Sequence, residues 1–167
     1  MNKFIFDLDF TLYGIGDDIN MGGTEADYYL SFKPKRFLHY LLSSLNEEYY
    51  IFTNGTTTHA MTVLLRLGLH EFFPVSRIIS RDDFVFLKPD QRGYELCTKR
   101  FDIKPEDTVY FFEDTLLNLR TAKSFGWKTI LINPMSVTNA IVDLSFTHIE
   151  SALTEFLTQK KLTLRRP

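Results

Sequence analysis

Continuously apolar, β-rich runs recur along this chain between longer amphipathic stretches, and that alternation narrows the fold more than any other feature. The runs fall at residues 3–8, 49–53, 77–80, 108–112 and 128–132, with a weaker one near 145–148. They do not alternate polar with apolar residues, as a strand with one wet face would, so they read as strands buried on both faces. The stretches between them read as helices. In "PKRFLHYLLSSLNEE", Phe37, Leu38, Leu41, Leu42 and Leu45 share one face at helical spacing. "TTTHAMTVLLRLG" begins with hydroxyl residues suited to an N-cap and ends at Gly68, suited to a C-cap. "KPDQRGYELCTKRF" places Pro89 in a first-turn position and turns Tyr94, Cys97 and Phe101 inward. "DTLLNLRTAKSFG" aligns Leu119, Ala122 and Phe125 and stops at Gly126, and a last helix over about 150–160 carries Leu153, Phe156 and Leu157. Strands alternating with helices predict an α/β, Rossmann-like three-layer sandwich around a central parallel sheet.

The chain has 167 residues, which predicts one domain over 1–160, followed by a basic, frayed tail at 161–167. A net charge of -2 gives no general attraction to nucleic acid or an acidic membrane. No apolar run approaches the ~20 residues of a membrane span. The first strand begins so early that no room is left for a signal peptide. Cys97 is the only cysteine, so no internal disulfide can form and a reducing, cytoplasmic setting is expected. It reads as a core residue, as does Trp127. His39 and His59 read as surface or half-buried helix residues, and Tyr13 as facing the mouth of a pocket.

In an open parallel sheet, ligands bind beyond the carboxyl ends of the strands. Here those ends are polar: Asp7 and Asp9 after the first, Thr53 and Asn54 after the second, Glu113 and Asp114 after the fourth, with Lys88 ahead of a helix after the third. Two acids one residue apart at the end of a buried strand cost free energy unless something positive lies against them. Carboxylates with one lysine form a hard-oxygen set suited to Mg²⁺ and a phosphate, and no zinc-type Cys/His cluster is present.

The stretches "FDLDFTLYG", "YIFTNG", "LKPDQRGYELC" and "VYFFEDTLLNLRTAKSFGWKTILI" resemble, in order and spacing, the four motifs of the haloacid dehalogenase (HAD) superfamily, nearest to its pyrimidine 5'-nucleotidase-like branch. The resemblance implies a HAD-like core and a phosphatase working through an aspartyl-phosphate. Asp7 would be the nucleophile, and Asp9 would protonate the leaving oxygen and then activate water. Thr53, Asn54 and Lys88 would hold the phosphoryl group. Asp7, Asp9 (through its carbonyl) and Asp114, helped by Glu113, would bind Mg²⁺. Thr11 and Asn118 would stand beside the site.

Many members insert a cap between the first two motifs. Here only the Gly- and Asp-rich segment 12–34, with Tyr28 and Tyr29, is free for that purpose, which allows a flap or minimal cap and puts the nucleotidase branch in question. The expected substrate is a nucleotide monophosphate or small phosphometabolite. An open site also admits a phosphoprotein, and the basic residues Lys33, Lys35, Arg36, Lys160, Lys161, Arg165 and Arg166 keep a nucleic-acid end open, though less favoured. A homo-oligomer, in which a second subunit covers the site, stays open too. The rivals are a non-catalytic phosphate-binding relative, against which Asp9 stands, and a dehalogenase, which would need neither Asp9 nor Asp114.

Overall fold

The computed structural model describes residues 1–135 and 139–164. They form a sheet of six parallel strands, β1 (Asn2–Phe6), β2 (Glu48–Phe52), β3 (Ile78–Ile79), β4 (Thr108–Glu113), β5 (Lys128–Ile132) and β6 (Leu144–Phe146), in the order β3-β2-β1-β4-β5-β6. The helices are α1 (Glu25–Ser31), α2 (Arg36–Leu45), α3 (Thr57–Leu67), α4 (Gln91–Arg100), α5 (Leu116–Ser124) and α6 (Ile149–Leu164).

Period-two side chains explain why every central strand is apolar throughout. Phe4, Phe6, Tyr49, Ile51, Phe112, Ile130 and Ile132 enter one core with α2, α3 and α6. Their neighbours Ile5, Tyr50, Phe52, Phe111 and Leu131 enter the other, with α4 and α5. The three layers expected from the sequence are therefore present. The strand order reverses direction between β1 and β4, and a crevice opens at such a switch point beyond the carboxyl ends.

Local details depart from the sequence reading in three places. Asp90, not a residue before Pro89, caps α4 by accepting the N–H of Arg92, so Pro89 stands outside the helix. Phe37 is 55 % exposed while Leu38, Leu41, Leu42 and Leu45 are buried, because the inward stripe of α2 is narrower than its apolar pattern. The final helix continues to Leu164, into the stretch expected to fray, and Lys160 in its last turns pairs with Glu47 at 2.9 Å. Cys97 and Trp127 are buried as expected.

One backbone feature lies at the sheet edge. Phe10 has φ of +62° yet remains 43 % exposed, so its left-handed backbone is not offset by burial. That conformation costs a non-glycine residue about 1–2 kcal/mol, against about 0.5–1 kcal/mol for the extra flexibility of glycine. Phe10→Gly is therefore expected to raise stability by up to about 1 kcal/mol, read as a Tm rise of about 2–4 °C by circular dichroism. A lowered Tm would mean the ring contributes packing that its exposure hides.

Candidate active site

The crevice at the switch point gathers the residues singled out above. Asp7, Asp9, Thr53, Asn54, Lys88, Glu113, Asp114 and Asn118 line one cavity of about 220 Å³, with Thr11 behind it. Asp7 directly follows β1, and its N–H donates to the Phe112 carbonyl at 2.9 Å, extending the β1–β4 ladder by one residue. The carboxylate is thereby carried on rigid sheet backbone.

Lys88 sits at the centre. Its Nζ donates to Asp7 Oδ1 at 2.7 Å and to Glu113 Oε2 at 2.8 Å, and its side chain is 1 % exposed. The rings of Phe52 and Phe111 lie 5.2 and 5.4 Å from the same ammonium. Asn54 fixes its backbone from both sides, donating Nδ2–H to the Lys88 carbonyl at 3.0 Å and accepting its N–H at 2.9 Å. Asn54 thus holds the lysine, a role for its side chain that sequence reading did not foresee. Thr53 Oγ1 accepts the Gly55 N–H at 2.9 Å, which leaves the hydroxyl proton free to donate. Thr11 Oγ1 donates to Asp7 Oδ2 at 3.1 Å.

Glu113 is saturated. Oε1 accepts the N–H groups of Asp114 and Thr115 at 3.0 and 3.1 Å, and Oε2 accepts Lys88 and, at 3.0 Å, Asn118 Nδ2–H. It therefore shapes the turn after β4 and anchors Lys88, and Asn118 braces it. Asp114, half-buried, keeps its carboxylate toward the cavity.

Electrostatics follow from burial. Desolvation, reinforced by Glu113 and opposed by Lys88, pushes the Asp7 carboxyl up to about 7. Burial also raises Glu113 despite Lys88. Burial works against the charge on Lys88, but Asp7 and Glu113 outweigh it and its pKa is raised. One ammonium among these carboxylates leaves the site short of positive charge.

That deficit, together with donor chemistry, is the test for a cation. Asp7, Glu113 and Asp114 each offer a carboxylate oxygen, all within 4.8 Å of one another. These are hard oxygen donors without sulfur or imidazole, the chemistry Mg²⁺ takes. The residues fit a hard divalent cation, with Asp7 and Asp114 the better donors because each keeps unused lone pairs while all four of Glu113 are taken.

The Asp9 carboxylate stands outside that group. Its Oδ1 accepts the Tyr13 hydroxyl at 2.5 Å and lies 2.6 Å from His59 Nε2. Burial pushes Asp9 up, and these two partners outweigh it, leaving its pKa below the usual value. With its side chain engaged there, Asp9 has its backbone carbonyl to offer a cation, the part expected of it. His59 is half-buried as expected and contacts the site directly, and Tyr13, though only 2 % exposed, lines the cavity beside Asp9. His39 does lie at the surface, paired with Glu71.

The segment at 12–34 forms a short 3₁₀ turn (Ile15–Asp17) and the seven-residue α1, which packs on α3. The basic residues are partly neutralised: Lys35 pairs with Asp17 at 3.1 Å and Glu150 at 2.8 Å. Arg165 and Arg166 lie outside the described residues. Among the described residues, no helix is long and apolar enough to cross a membrane.

Comparison with known proteins places these features in context. The family model described as haloacid dehalogenase-like hydrolase matches residues 25–132. A glyceraldehyde 3-phosphate phosphatase of Methanocaldococcus jannaschii is 32% identical over 82 residues, covering 49% of this chain and 35% of that protein. One of the same name from Methanothermobacter thermautotrophicus is 31% identical over 83 residues, covering 50% and 36%. The match thus spans about a third of the length of these relatives, and neither bears a nucleotidase name. Among solved structures, a Thermotoga maritima chain described as a beta-phosphoglucomutase superposes with a TM-score of 0.69 at 18% identity, covering 93% of this chain and 98% of that one. The L-2-haloacid dehalogenase of Xanthobacter autotrophicus gives 0.67 at 13%, covering 92% and 97%. At these identities the superpositions establish the fold.

Proposed function

Because the chain belongs to the haloacid dehalogenase-like hydrolase family, we propose that it is a Mg²⁺-dependent phosphomonoester hydrolase acting through an aspartyl-phosphate. The observation that carries this reading is the buried Lys88 ammonium, which touches Asp7 and Glu113 beside a further carboxylate, Asp114, that no cation pairs among the described residues, at the switch point of the sheet. A structural ion pair would need only one acid. A surplus of acids around a fixed cation suits a site that receives another cation and an anionic substrate.

Asp7 attacks phosphorus, and the new O–P bond forms as the bond to the ester oxygen breaks. Asp9, entering this step in its protonated form, which its low pKa makes the minor one, gives that oxygen a proton. Asp9 then takes a proton from water, whose oxygen attacks phosphorus and releases phosphate from Asp7. Lys88 and the Thr53 hydroxyl hold the phosphoryl oxygens, as does the Asn54 N–H. Magnesium held by Asp7, Asp114 and the Asp9 carbonyl would supply charge neutralisation to the phosphoryl group. Positioning and charge account for most of what phosphoryl transfer demands.

The names of the archaeal relatives make small phosphorylated metabolites, triose phosphates included, the first substrates to try. Nucleoside monophosphates and phosphopeptides come next, since a cavity of about 500 Å³ adjoins Asp9. Purified protein is expected to release phosphate from one or more of these with Mg²⁺ and to stop in EDTA. Absence of release across the panel and from an aryl phosphate would favour a non-catalytic phosphate binder.

A second readout needs no substrate. Mg²⁺ at ten times its Kd should add about 1.4 kcal/mol of stability, a Tm rise of about 3–6 °C for a chain of this size. Asp114→Asn should remove most of that rise. A Tm indifferent to Mg²⁺ up to tens of millimolar would count against the metal site.

A further inference from the structure

Asp9 is held by a network that the reaction outlined above does not yet use. Tyr13, whose hydroxyl donates to Asp9 Oδ1, has its own oxygen 2.7 Å from the Tyr28 hydroxyl. His59 Nε2 faces the same Oδ1, and its Nδ1 lies 2.9 Å from the Tyr29 hydroxyl. A neutral imidazole protonated at Nε2 satisfies both of its bonds, donating to Asp9 and accepting from Tyr29. Tyr28 and Tyr29 are neighbours on α1, whose first turn is closed by a capping box between Thr24 and Asp27. Tyr13 is locked edge-on against Phe32, with ring centres 4.8 Å apart. His59 lies in the first turn of α3, where Thr56 accepts its N–H at 3.1 Å. The ring rests against the turn after β2 so closely that a Cβ on Gly55 would stand 2.9 Å from His59 Cδ2. That same Cβ would lie 3.6 Å from Asp9 Oδ2. Two independent chains of contacts thus converge on one oxygen of one carboxylate, and among the described residues none donates to the other oxygen.

We propose that His59 and Tyr13 are positioning residues for Asp9: they immobilise Oδ1 so that Oδ2 is the oxygen that gives the proton to the leaving group and later takes one from water, with α1 as their backing through Tyr28 and Tyr29. The inference rests on the phosphomonoesterase reading and adds to it the parts that orient its acid/base. A carboxylate free to rotate spends most of its time misdirected, and misplacing a catalytic group by about 1 Å can cost about 10²-fold. The short helix α1 is thereby given work that a larger insertion would otherwise have to do. It need not enclose the substrate to contribute; it has only to hold two hydroxyls.

The dependence on the leaving group tests this. An alkyl phosphate, such as glycerol phosphate, expels a strongly basic alkoxide and needs the proton. p-Nitrophenyl phosphate expels a weakly basic phenolate and scarcely needs it. His59→Ala and Tyr13→Phe are expected to lower kcat/KM, which reports the step that expels the leaving group, by about 10–100-fold on the alkyl ester, part of the ~10²–10⁴-fold that general acid–base catalysis supplies. kcat/KM on the aryl ester should fall less than about 3-fold, while kcat falls on both esters to the extent that water attack on the shared aspartyl-phosphate limits turnover. Asp9→Asn should show the same asymmetry more strongly. His59→Gln, whose amide N–H reaches toward the place of Nε2–H, should recover most of the loss. Tyr13→Phe keeps the ring in its buried seat, so the test stands even if His59→Ala folds poorly. Equal losses of kcat/KM on both esters, or no recovery in His59→Gln, would overturn the positioning role while leaving the phosphatase reading in place. A wild-type protein inactive on both esters and on the wider panel of phosphorylated metabolites, nucleotides and peptides would overturn that reading and this one together.

Discussion

Asp7→Asn is expected to abolish phosphate release, by roughly 10⁴-fold or more, and to leave the fold as stable as before or more so. The two halves of this outcome share a cause. The carboxylate is buried at the switch point beside Glu113, and burial first, then Glu113, raises its pKa to about 7 despite Lys88. Each pKa unit corresponds to about 1.4 kcal/mol, so the ionised form burdens the fold. The folded pKa exceeds the unfolded one, so protonated Asp7 contributes stability that is fully present below about pH 4 and is lost as pH rises through about 7. Asn cannot ionise, yet it retains a carbonyl oxygen for Lys88 and an amide that can donate to Thr11 in place of the bond Asp7 accepts. The Tm advantage of Asp7→Asn over wild type, measured in EDTA, should therefore widen between pH 5 and pH 8. Added Mg²⁺ should narrow it, because the cation supplies the missing positive charge. A variant that loses both activity and several kcal/mol at pH 8 would mark Asp7 as a structural acid. Catalytic carboxylates commonly trade stability for reactivity in this way.

What the sequence exposes and what it hides divide along a physical line. Strands paired on both sides are buried on both faces, so β1, β2, β4 and β5 read directly as apolar runs, and their ends mark where Asp7, Thr53 and Glu113 emerge. Lys88 was findable because the strand-end rule places it opposite those acids. The partners of Asp9 were not. Tyr13 lies four residues on in a loop, while His59 comes from α3 fifty residues away, on a polar first turn that looks like any solvated helix start. Nothing local distinguishes a histidine that meets a distant carboxylate from one that meets water. Glu113 hides a second part: an acid beside Asp114 reads as a ligand, and only the four donors around it reveal that it is also an anchor. The tail misled because "KKLTL" carries no residue that stops a helix, and α6 simply runs on through Leu164.

Lys88→Met should be among the most destabilising single substitutions in this chain, at about 3–5 kcal/mol, against a total of about 5–15 kcal/mol for a domain. Methionine fills a similar volume, so cavity formation contributes little. The cost comes from Asp7 and Glu113, left facing each other in a region where the Glu113 side chain is 1 % exposed. Some of it is avoided if one carboxylate takes up a proton, which both are already inclined to do. A double-mutant cycle separates charge from shape. Adding Glu113→Gln to Lys88→Met removes one orphaned charge and keeps an oxygen for the Asp114 and Thr115 N–H groups, so about 1–3 kcal/mol should return as coupling energy. Activity should not return with it, because the phosphoryl oxygens still lack the ammonium. Adding Asp7→Asn instead should also recover stability, and the triple variant should approach the wild type in chemical denaturation while remaining inert. If Lys88→Met costs no more than the ±0.5 kcal/mol of an ordinary surface substitution, the lysine is not compensating buried acids. The surplus of carboxylates around it would then say nothing about a cation or a phosphoryl group.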